Sequence, residues 1–246
     1  MHSLDIIIPV KNEAENIPIL VRRIHTVLTR SDITYQLIFI DDHSTDSTIS
    51  LLDKLSQNYP IKYTQKRGKP GKAWSILEGA EIATSPILAM LDADLQYPPE
   101  VLPQMLIQMK NHGIVVANRK VYKSSLFRRF ASRFNALVFG RILFGLTSDI
   151  QSGLKVFRRD ILAHIDRSVI KPWSLDIPLL VTGLDLGYTI GAVEIVFDTR
   201  DKGNSKIHFW ETATQIVSGA LLLRIKKRNL YTLQPTGIGM SGAGIA

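Results

Sequence analysis

Short apolar runs alternate with amphipathic segments from residue 4 to residue 119, and this alternation constrains the fold more than any other feature of the chain. The runs are rich in Ile and Val, and their length predicts strands that are buried on both faces. They lie at residues 4–10, 36–41, 61–65, 86–91 and 113–118. Strands that alternate with helices favour an α/β fold with a mostly parallel sheet and helices on both faces.

Four segments between these strands carry helical signals. The first places Ile17, Leu20, Val21, Ile24 and Leu28 on one stripe with the i, i+3, i+4, i+7 spacing of a half-buried helix. A Ser/Thr/Asp cluster suited to an N-cap opens the second segment. The second, third and fourth helices are predicted at residues 47–57, 72–83 and 99–111.

Charge and cysteine content limit the classes of function. The chain has no cysteine, which excludes disulfides, thiolate metal sites and a cysteine nucleophile. Its net charge of +8 favours an anionic partner: a nucleic acid, a membrane surface or a phosphorylated substrate. Residues 101–148 contain eight Lys and Arg and no acidic residue, and no acidic residue follows Glu211.

Two acidic motifs come directly after predicted strands. Asp41 and Asp42 follow the second strand, and Asp92 and Asp94 follow the fourth. Ligands of open α/β sheets bind beyond the carboxyl ends of the strands, where two such carboxylates can hold one hard cation against a diphosphate. The alternative interpretation is that Asp46 and Asp94 only cap helices.

Six motifs in register give the chain a family resemblance. They are Pro-Val-Lys-Asn-Glu at 9–13, Asp-Asp-His-Ser-Thr-Asp at 41–46, Arg-Gly-Lys-Pro-Gly at 67–71, Asp-Ala-Asp-Leu-Gln-Tyr-Pro-Pro-Glu at 92–100, Ser-Gly-Leu-Lys-Val-Phe-Arg-Arg at 152–159 and Arg-Asp-Lys-Gly-Asn-Ser-Lys at 200–206. Together they resemble the inverting GT-A glycosyltransferases of family two, in the dolichol-phosphate mannosyltransferase-like branch that uses polyprenyl phosphates. The resemblance covers roughly residues 4–210.

The resemblance implies a role for each matching residue. The donor nucleotide is expected at Pro9, Asn12, Glu13, Asp41, Asp42, Lys69 and Asp92. Mg²⁺ or Mn²⁺ is expected at Asp92, Asp94 and Gln96. Phosphates, including that of the acceptor, are expected at Arg119, Arg133, Arg200 and Lys206, and the catalytic set is Asp94, Arg200 and Lys206. For the loop cations Arg67, Lys69 and Lys72, a loop that folds over the donor phosphate and a solvated charge run both remain open.

Several positions depart from the family pattern. Lys11 stands where an aromatic residue is usual, His43 where a Gly is usual, and Ala73 where the Gly-rich loop keeps its second Gly. Pro178 stands where an acidic residue is common, although Asp176 precedes it by two positions. These departures leave the base of the donor and the role of the late acidic residue open.

The nature of the acceptor decides whether the reaction needs a protein base. A phosphate acceptor has a second pKa of about 6, so near pH 7 it needs orientation and cationic partners rather than a base. A sugar hydroxyl would need a base, and Asp176 is the one obvious late candidate.

Two basic, apolar segments at 126–146 and 208–228 are typical of helices that lie in a membrane interface, although two ordinary core-packing helices are the alternative. No apolar run is long enough to span a bilayer. We expect a catalytic domain at 1–207, an amphipathic interface helix at 208–230 and a flexible tail or truncated end at 231–246.

The sequence therefore predicts a metal-dependent transferase that moves a hexose, best mannose from GDP-mannose, onto polyprenyl or dolichyl phosphate at the cytoplasmic membrane face. Its partners would be the nucleotide sugar, the lipid phosphate and the anionic membrane surface, with a membrane-protein partner or a missing C-terminal segment as a further expectation. The alternative enzyme uses a UDP-sugar, on polyprenyl phosphate or on a sugar hydroxyl in polysaccharide synthesis. A nucleic-acid-binding module is disfavoured, because the basic residues interleave with apolar stripes and no nucleic-acid motif is present.

Overall fold

The computed structural model describes residues 3–120 and 152–196, without the side chain of Lys120. The strands are β1 (Ser3–Val10), β2 (Thr34–Asp41), β3 (Ile61–Gln65), β4 (Ile87–Met90), β5 (Ile114–Lys120), β6 (Lys155–Arg158) and β7 (Ile190–Val196). The helices are α1 (Ile17–Arg30), α2 (Thr48–Ser56), α3 (Lys72–Ile82), α4 (Leu102–Gln108), α5 (Asp160–Ala163) and α6 (Asp176–Asp185). The strands and helices predicted between residues 4 and 119 are confirmed, with a 3₁₀ turn at Pro99–Val101 before α4.

The strands form one seven-stranded sheet in the order β3-β2-β1-β4-β6-β5-β7. The pairs β1 with β2, β1 with β4, β2 with β3 and β5 with β7 are parallel, whereas β6 is antiparallel to both of its neighbours. The carboxyl ends of β1, β2 and β4 therefore share one edge with the start of β6. The fold is the mostly parallel GT-A type that the sequence predicts.

Each face of the sheet carries its own apolar cluster. In β1, Leu4, Ile6, Ile8 and Val10 pack into the cluster that contains α1 and α4, and Ile7 packs into the cluster that contains α3 and α6. All five are at most 2% exposed. Burial on both faces explains why β1 is a continuous apolar run rather than an alternating one.

Helix α3 lies unusually close to the sheet. A Cβ placed on Gly79 would lie 2.4 Å from Cγ2 of Ile7, so only glycine permits this approach. This close packing holds α3 against the sheet. The first turn of α3, which begins with Lys72, therefore lies beside the carboxyl ends of β1 and β4.

None of the helices within residues 3–120 and 152–196 combines the length and the apolar character that crossing a membrane requires. The predicted interface segments at 126–146 and 208–228, and the boundaries of the three expected domains near residues 207 and 230, lie outside the described residues.

Candidate active site

The loops after β1 and β2 are joined by hydrogen bonds at the carboxyl edge of the sheet. The Asn12 side-chain oxygen accepts from the N–H of Thr45 at 2.7 Å, and the Asn12 N–H donates to Oγ of Ser44 at 2.8 Å. The N–H of Glu13 donates to Oγ1 of Thr48 at 3.0 Å. These bonds hold the first two motifs in one unit, although the motifs are about thirty residues apart.

Left-handed backbone occurs at the same turns. Asn12, His43 and Leu95 have φ of 53°, 61° and 62°, just beyond the ends of β1, β2 and β4. This conformation is uncommon for residues other than glycine and marks positions where the surrounding structure imposes the geometry. It also explains why the family usually has a glycine at position 43.

Asp41 and Asp42 have different surroundings. Asp41 is fully buried and its carboxylate accepts from the N–H of Ser44 at 3.1 Å, so it shapes the turn. Asp42 is partly exposed, and its Oδ2 lies 2.9 Å from Nζ of Lys66 and accepts a hydrogen bond from the N–H of Gly71 at 3.2 Å. Burial opposes the charge of Asp42, but the bonds from Lys66 and Gly71 prevail and hold its pKa below the ordinary value.

Lys66 is a site residue that the sequence interpretation missed. Its ammonium is completely buried and donates to Asp42, to the carbonyl oxygen of Gly71 at 2.9 Å and to Oγ of Ser75 at 3.0 Å. Three acceptors satisfy its three donors, which a buried ammonium requires. The signal was its place one residue after β3, at the same edge as the acidic motifs.

The Gly-rich loop is held between β3 and the start of α6. Gly71 has φ of 109°, and a Cβ there would lie 2.4 Å from Cβ of Pro172. Lys69 is exposed and its ammonium lies 4.9 Å from the centre of the Trp74 ring. Lys69 therefore lies on the solvent side of the loop.

Asp92 meets groups from three parts of the chain. Its Oδ1 lies 2.5 Å from Nζ of Lys72 at the start of α3. A Cβ on Gly153 would lie 2.0 Å from its Oδ2, so the backbone before β6 packs directly against that oxygen. Burial disfavours the charge of Lys72, but the carboxylates of Asp92 and Asp176 outweigh it and raise the pKa of Lys72 above its ordinary value.

Asp94 and Gln96 lie in the turn that follows. The Asp94 Oδ1 accepts from the N–H of Gln96 at 3.3 Å, and both residues are partly exposed. Within residues 3–120 and 152–196, no group of three or more His, Cys, Asp and Glu side chains is placed so that it could hold a metal ion by itself. Carboxylate and amide oxygens in this number suit Mg²⁺ or Mn²⁺, which bind through one or two carboxylates and take further ligands from substrate phosphates and water. The residues present therefore fit a divalent ion that is bound together with a diphosphate.

Asp176 is paired with a buried lysine. Its Oδ1 accepts from Nζ of Lys155 at 2.6 Å, and the same ammonium donates to the carbonyl oxygen of Ser152 at 2.6 Å. Lys155 is fully buried and the Asp176 side chain is 23% exposed. The Asp176 carboxylate also helps to raise the pKa of Lys72, whose ammonium pairs with Asp92.

The remaining candidate residues are distributed as follows. Pro9 is partly exposed and pairs with Ile40 in the sheet, and Glu13 accepts from the Asn16 side chain at 2.7 Å. Arg119 lies near the carboxyl end of β5, two strands from β4. The structure thus brings the expected donor and metal residues to one edge. Arg133, Arg200 and Lys206 lie outside the described residues.

The mostly parallel sheet, with helices on both faces and charged groups at the carboxyl ends of its strands, is that of an α/β domain of the GT-A type. The model of glycosyl transferase family 2 matches residues 5–166, and the chain belongs to this family.

Two curated relatives narrow the comparison. A dolichol-phosphate mannosyltransferase of Pyrococcus furiosus is 29% identical over 83% of this chain and 59% of its own length. An undecaprenyl-phosphate 4-deoxy-4-formamido-L-arabinose transferase of Salmonella choleraesuis is 31% identical over 65% of this chain and 50% of its own. The chain therefore spans between half and three fifths of these relatives.

A solved structure shows the same fold. Glucosyl-3-phosphoglycerate synthase from Mycobacterium tuberculosis, in complex with Mn²⁺, uridine diphosphate and phosphoglyceric acid, aligns with a TM-score of 0.71 at 18% identity. The alignment covers 99% of this chain and 82% of that one.

Proposed function

We propose that the chain is the catalytic domain of a metal-dependent, inverting glycosyltransferase that moves a hexose from a nucleotide sugar onto a polyprenyl or dolichyl phosphate. Mannose from GDP-mannose is the proposed donor, and the cytoplasmic membrane face the proposed location. The names of both curated relatives contain a polyprenyl-type phosphate, whereas their sugars differ. The similarity therefore supports the acceptor class more strongly than the sugar.

The observation that carries this proposal is the pairing of Asp176 with Lys155. Asp176 is the late candidate for a general base that the sequence indicates, and its Oδ1 already accepts a hydrogen bond from the buried ammonium of Lys155 at 2.6 Å, so this oxygen is engaged in an ion pair. A hydroxyl acceptor would need such a base, but a phosphate oxygen is already ionised near pH 7. The site is thus better suited to a phosphate acceptor.

The chemistry assigns each group a task. In the transfer, an acceptor phosphate oxygen forms a bond to the anomeric carbon, and the nucleoside diphosphate leaves with the electron pair of the broken bond. Asp92, Asp94 and Gln96 would hold a divalent ion, which would stabilise the charge that develops on the leaving diphosphate. Lys69 can contact the donor phosphates from the solvent side of its loop.

The proposed acceptor-binding cations are Arg119 together with Arg133, Arg200 and Lys206. Chain segments 121–151 and 197–246 both leave the described structure at the carboxyl edge, where β5 and β7 end. Their cations would hold and orient the acceptor phosphate, whose charge they match.

A radiolabel transfer assay tests the proposal. The chain is incubated with GDP-mannose, UDP-glucose or UDP-N-acetylglucosamine and with polyprenyl phosphate in detergent, and lipid-linked label is measured after solvent extraction. Polyprenol of the same chain length is the matched control, since it offers a hydroxyl in place of the phosphate. We expect transfer to the phosphate alone, with GDP-mannose the best donor. Label on polyprenol, or on no lipid with any donor, would contradict the proposal, and a UDP-sugar as the best donor would correct the sugar and the base.

A further inference from the structure

Lys72 has a place at the site that the proposed reaction does not explain. Its ammonium lies 2.5 Å from Oδ1 of Asp92, a residue to which the proposal assigns the divalent ion. Lys72 is the first residue of α3, and the close contact of Gly79 with Ile7 fixes that helix against the sheet. The ammonium is therefore supplied by a rigid element rather than by a mobile surface chain.

The second oxygen of Asp92 is also covered. The backbone of Gly153 packs against Oδ2, and an added Cβ would lie 2.7 Å from both Cγ of Asp92 and Cε2 of Tyr97. Tyr97 is 3% exposed, so the packing behind the carboxylate is tight. The Gly153 backbone thus covers Oδ2, and a cation that binds Oδ1 meets the ammonium of Lys72.

A bare divalent ion would have to displace this ammonium, and Lys72 would then lose an anionic partner in a partly buried place. An ion that arrives with a diphosphate brings new negative charge for Lys72, and Asp176 supplies a further carboxylate near it. Because the Asp176 carboxylate acts on Lys72 with or without a ligand, only the nucleotide adds new charge that offsets the cost of breaking the ion pair.

We propose that Lys72 occupies the cation position at Asp92 in the donor-free protein and so makes binding of the divalent ion depend on the nucleotide diphosphate. This inference rests on the proposed metal-dependent function and adds a residue that determines the order of binding. Lys72 acts here as a positioning residue, and its role differs from that of the exposed loop residue Lys69.

Direct measurement of Mn²⁺ binding tests the inference without recourse to activity. Binding is followed by electron paramagnetic resonance of unbound Mn²⁺, for wild type, Lys72→Met, Lys72→Gln and the control Lys54→Met, with and without GDP or UDP. Lys54 is exposed in the last turn of α2. Asp92→Asn shows which binding belongs to the site, and thermal melting shows that each variant is folded.

In the absence of nucleotide, both Lys72 variants should bind Mn²⁺ at least tenfold more tightly than wild type and Lys54→Met, a difference of about 1.4 kcal/mol. With the nucleotide present, the difference should shrink because wild-type affinity rises. Equal donor-free affinities of wild type and both Lys72 variants would overturn the inference and leave the metal role intact. If no variant binds Mn²⁺ even with either nucleotide, the metal-dependent function is wrong as well.

Discussion

Replacement of Gly153 by alanine tests whether the reaction depends on the position of the Asp92 carboxylate. The added methyl carbon would lie 2.0 Å from Oδ2 and 2.7 Å from both Cγ of Asp92 and Cε2 of Tyr97. Ordinary contacts between such atoms are about 3.5 Å, so the Asp92 side chain must move by more than about 1 Å. The buried Tyr97 ring, which the added methyl carbon would also meet, leaves that methyl carbon little room to move aside.

Two magnitudes follow from this clash. Overpacking of a tight site costs about 1–3 kcal/mol of unfolding free energy. A shift of about 1 Å in a group that positions the reacting atoms costs about 10²-fold in rate. We therefore expect Gly153→Ala to remain folded, to melt at a lower temperature and to lose about a hundredfold in kcat.

The assay combines thermal melting with initial rates of transfer to polyprenyl phosphate well below the melting temperature. Gly187→Ala is the matched control, because Gly187 has φ of 83° and no neighbouring atom within 4 Å of an added Cβ. Alanine at position 187 strains the backbone by about 1 kcal/mol. Gly187 follows the C-terminal end of α6, whereas Asp176 is at the N-terminal end of this helix, so the strain arises away from the site. Wild-type kcat in folded Gly153→Ala would refute the view that the position of Asp92 limits the reaction.

Four further predictions follow from the site and the sequence. Asp94→Asn should lower turnover at least 10²-fold and excess chelator should abolish wild-type activity, so full activity in EDTA would remove the metal role. Asp176→Asn should keep a transfer rate within about tenfold of wild type between pH 5.5 and 8. The rate of both proteins should rise through about pH 6, where the acceptor phosphate loses its second proton. A thousandfold loss of rate in a variant that is folded and binds the donor would instead identify Asp176 as a base. The pKa of Asp42 is lowered in the folded state, so its contribution to stability is complete above the pKa of the unfolded carboxyl and is lost as the pH falls through the lowered value. The melting temperature of Asp42→Asn should therefore fall less steeply with acid than that of wild type. Identical curves of melting temperature against pH would contradict the pairing of Asp42 with Lys66. The chain should co-sediment more strongly with anionic liposomes than with neutral ones, and high salt should weaken this binding. Replacement by Ser of the basic cluster should weaken it as well; the cluster is Arg224, Lys226, Lys227 and Arg228. Equal binding to both kinds of vesicle would count against membrane association through these cations.

Local periodicity was sufficient to predict the first five strands and the helices between them. The apolar run of β1 and the stripe of α1 are properties of consecutive residues, and burial on one or both faces selects for them directly. The positions of Asp42 and Asp92 at the carboxyl edge followed from the same patterns, because parallel strands end on one side of a sheet.

The partners of these carboxylates depend on contacts between distant segments. Strand β6 inserts antiparallel between β4 and β5, pairing Met90 with Lys155 and thereby bringing Gly153 against Asp92. Nothing in the period of a four-residue strand specifies its neighbours or its direction, since both are decided by which surfaces remain to be covered. The family motif at 152–159 was recognisable, but the role of Lys155 was not.

The sequence by itself determined the class of fold, the edge that carries the site and the residue types that gather there. Only the tertiary structure decided which charges meet: Lys66 with Asp42, Lys72 with Asp92, and Lys155 with Asp176. The physical reason is that hydrophobic periodicity is a local consequence of burial, whereas a buried or partly buried ion pair forms wherever chain packing brings two groups together. A lysine in a Gly-rich loop has the same local pattern whether it is solvated, like Lys69, or completely enclosed, like Lys66.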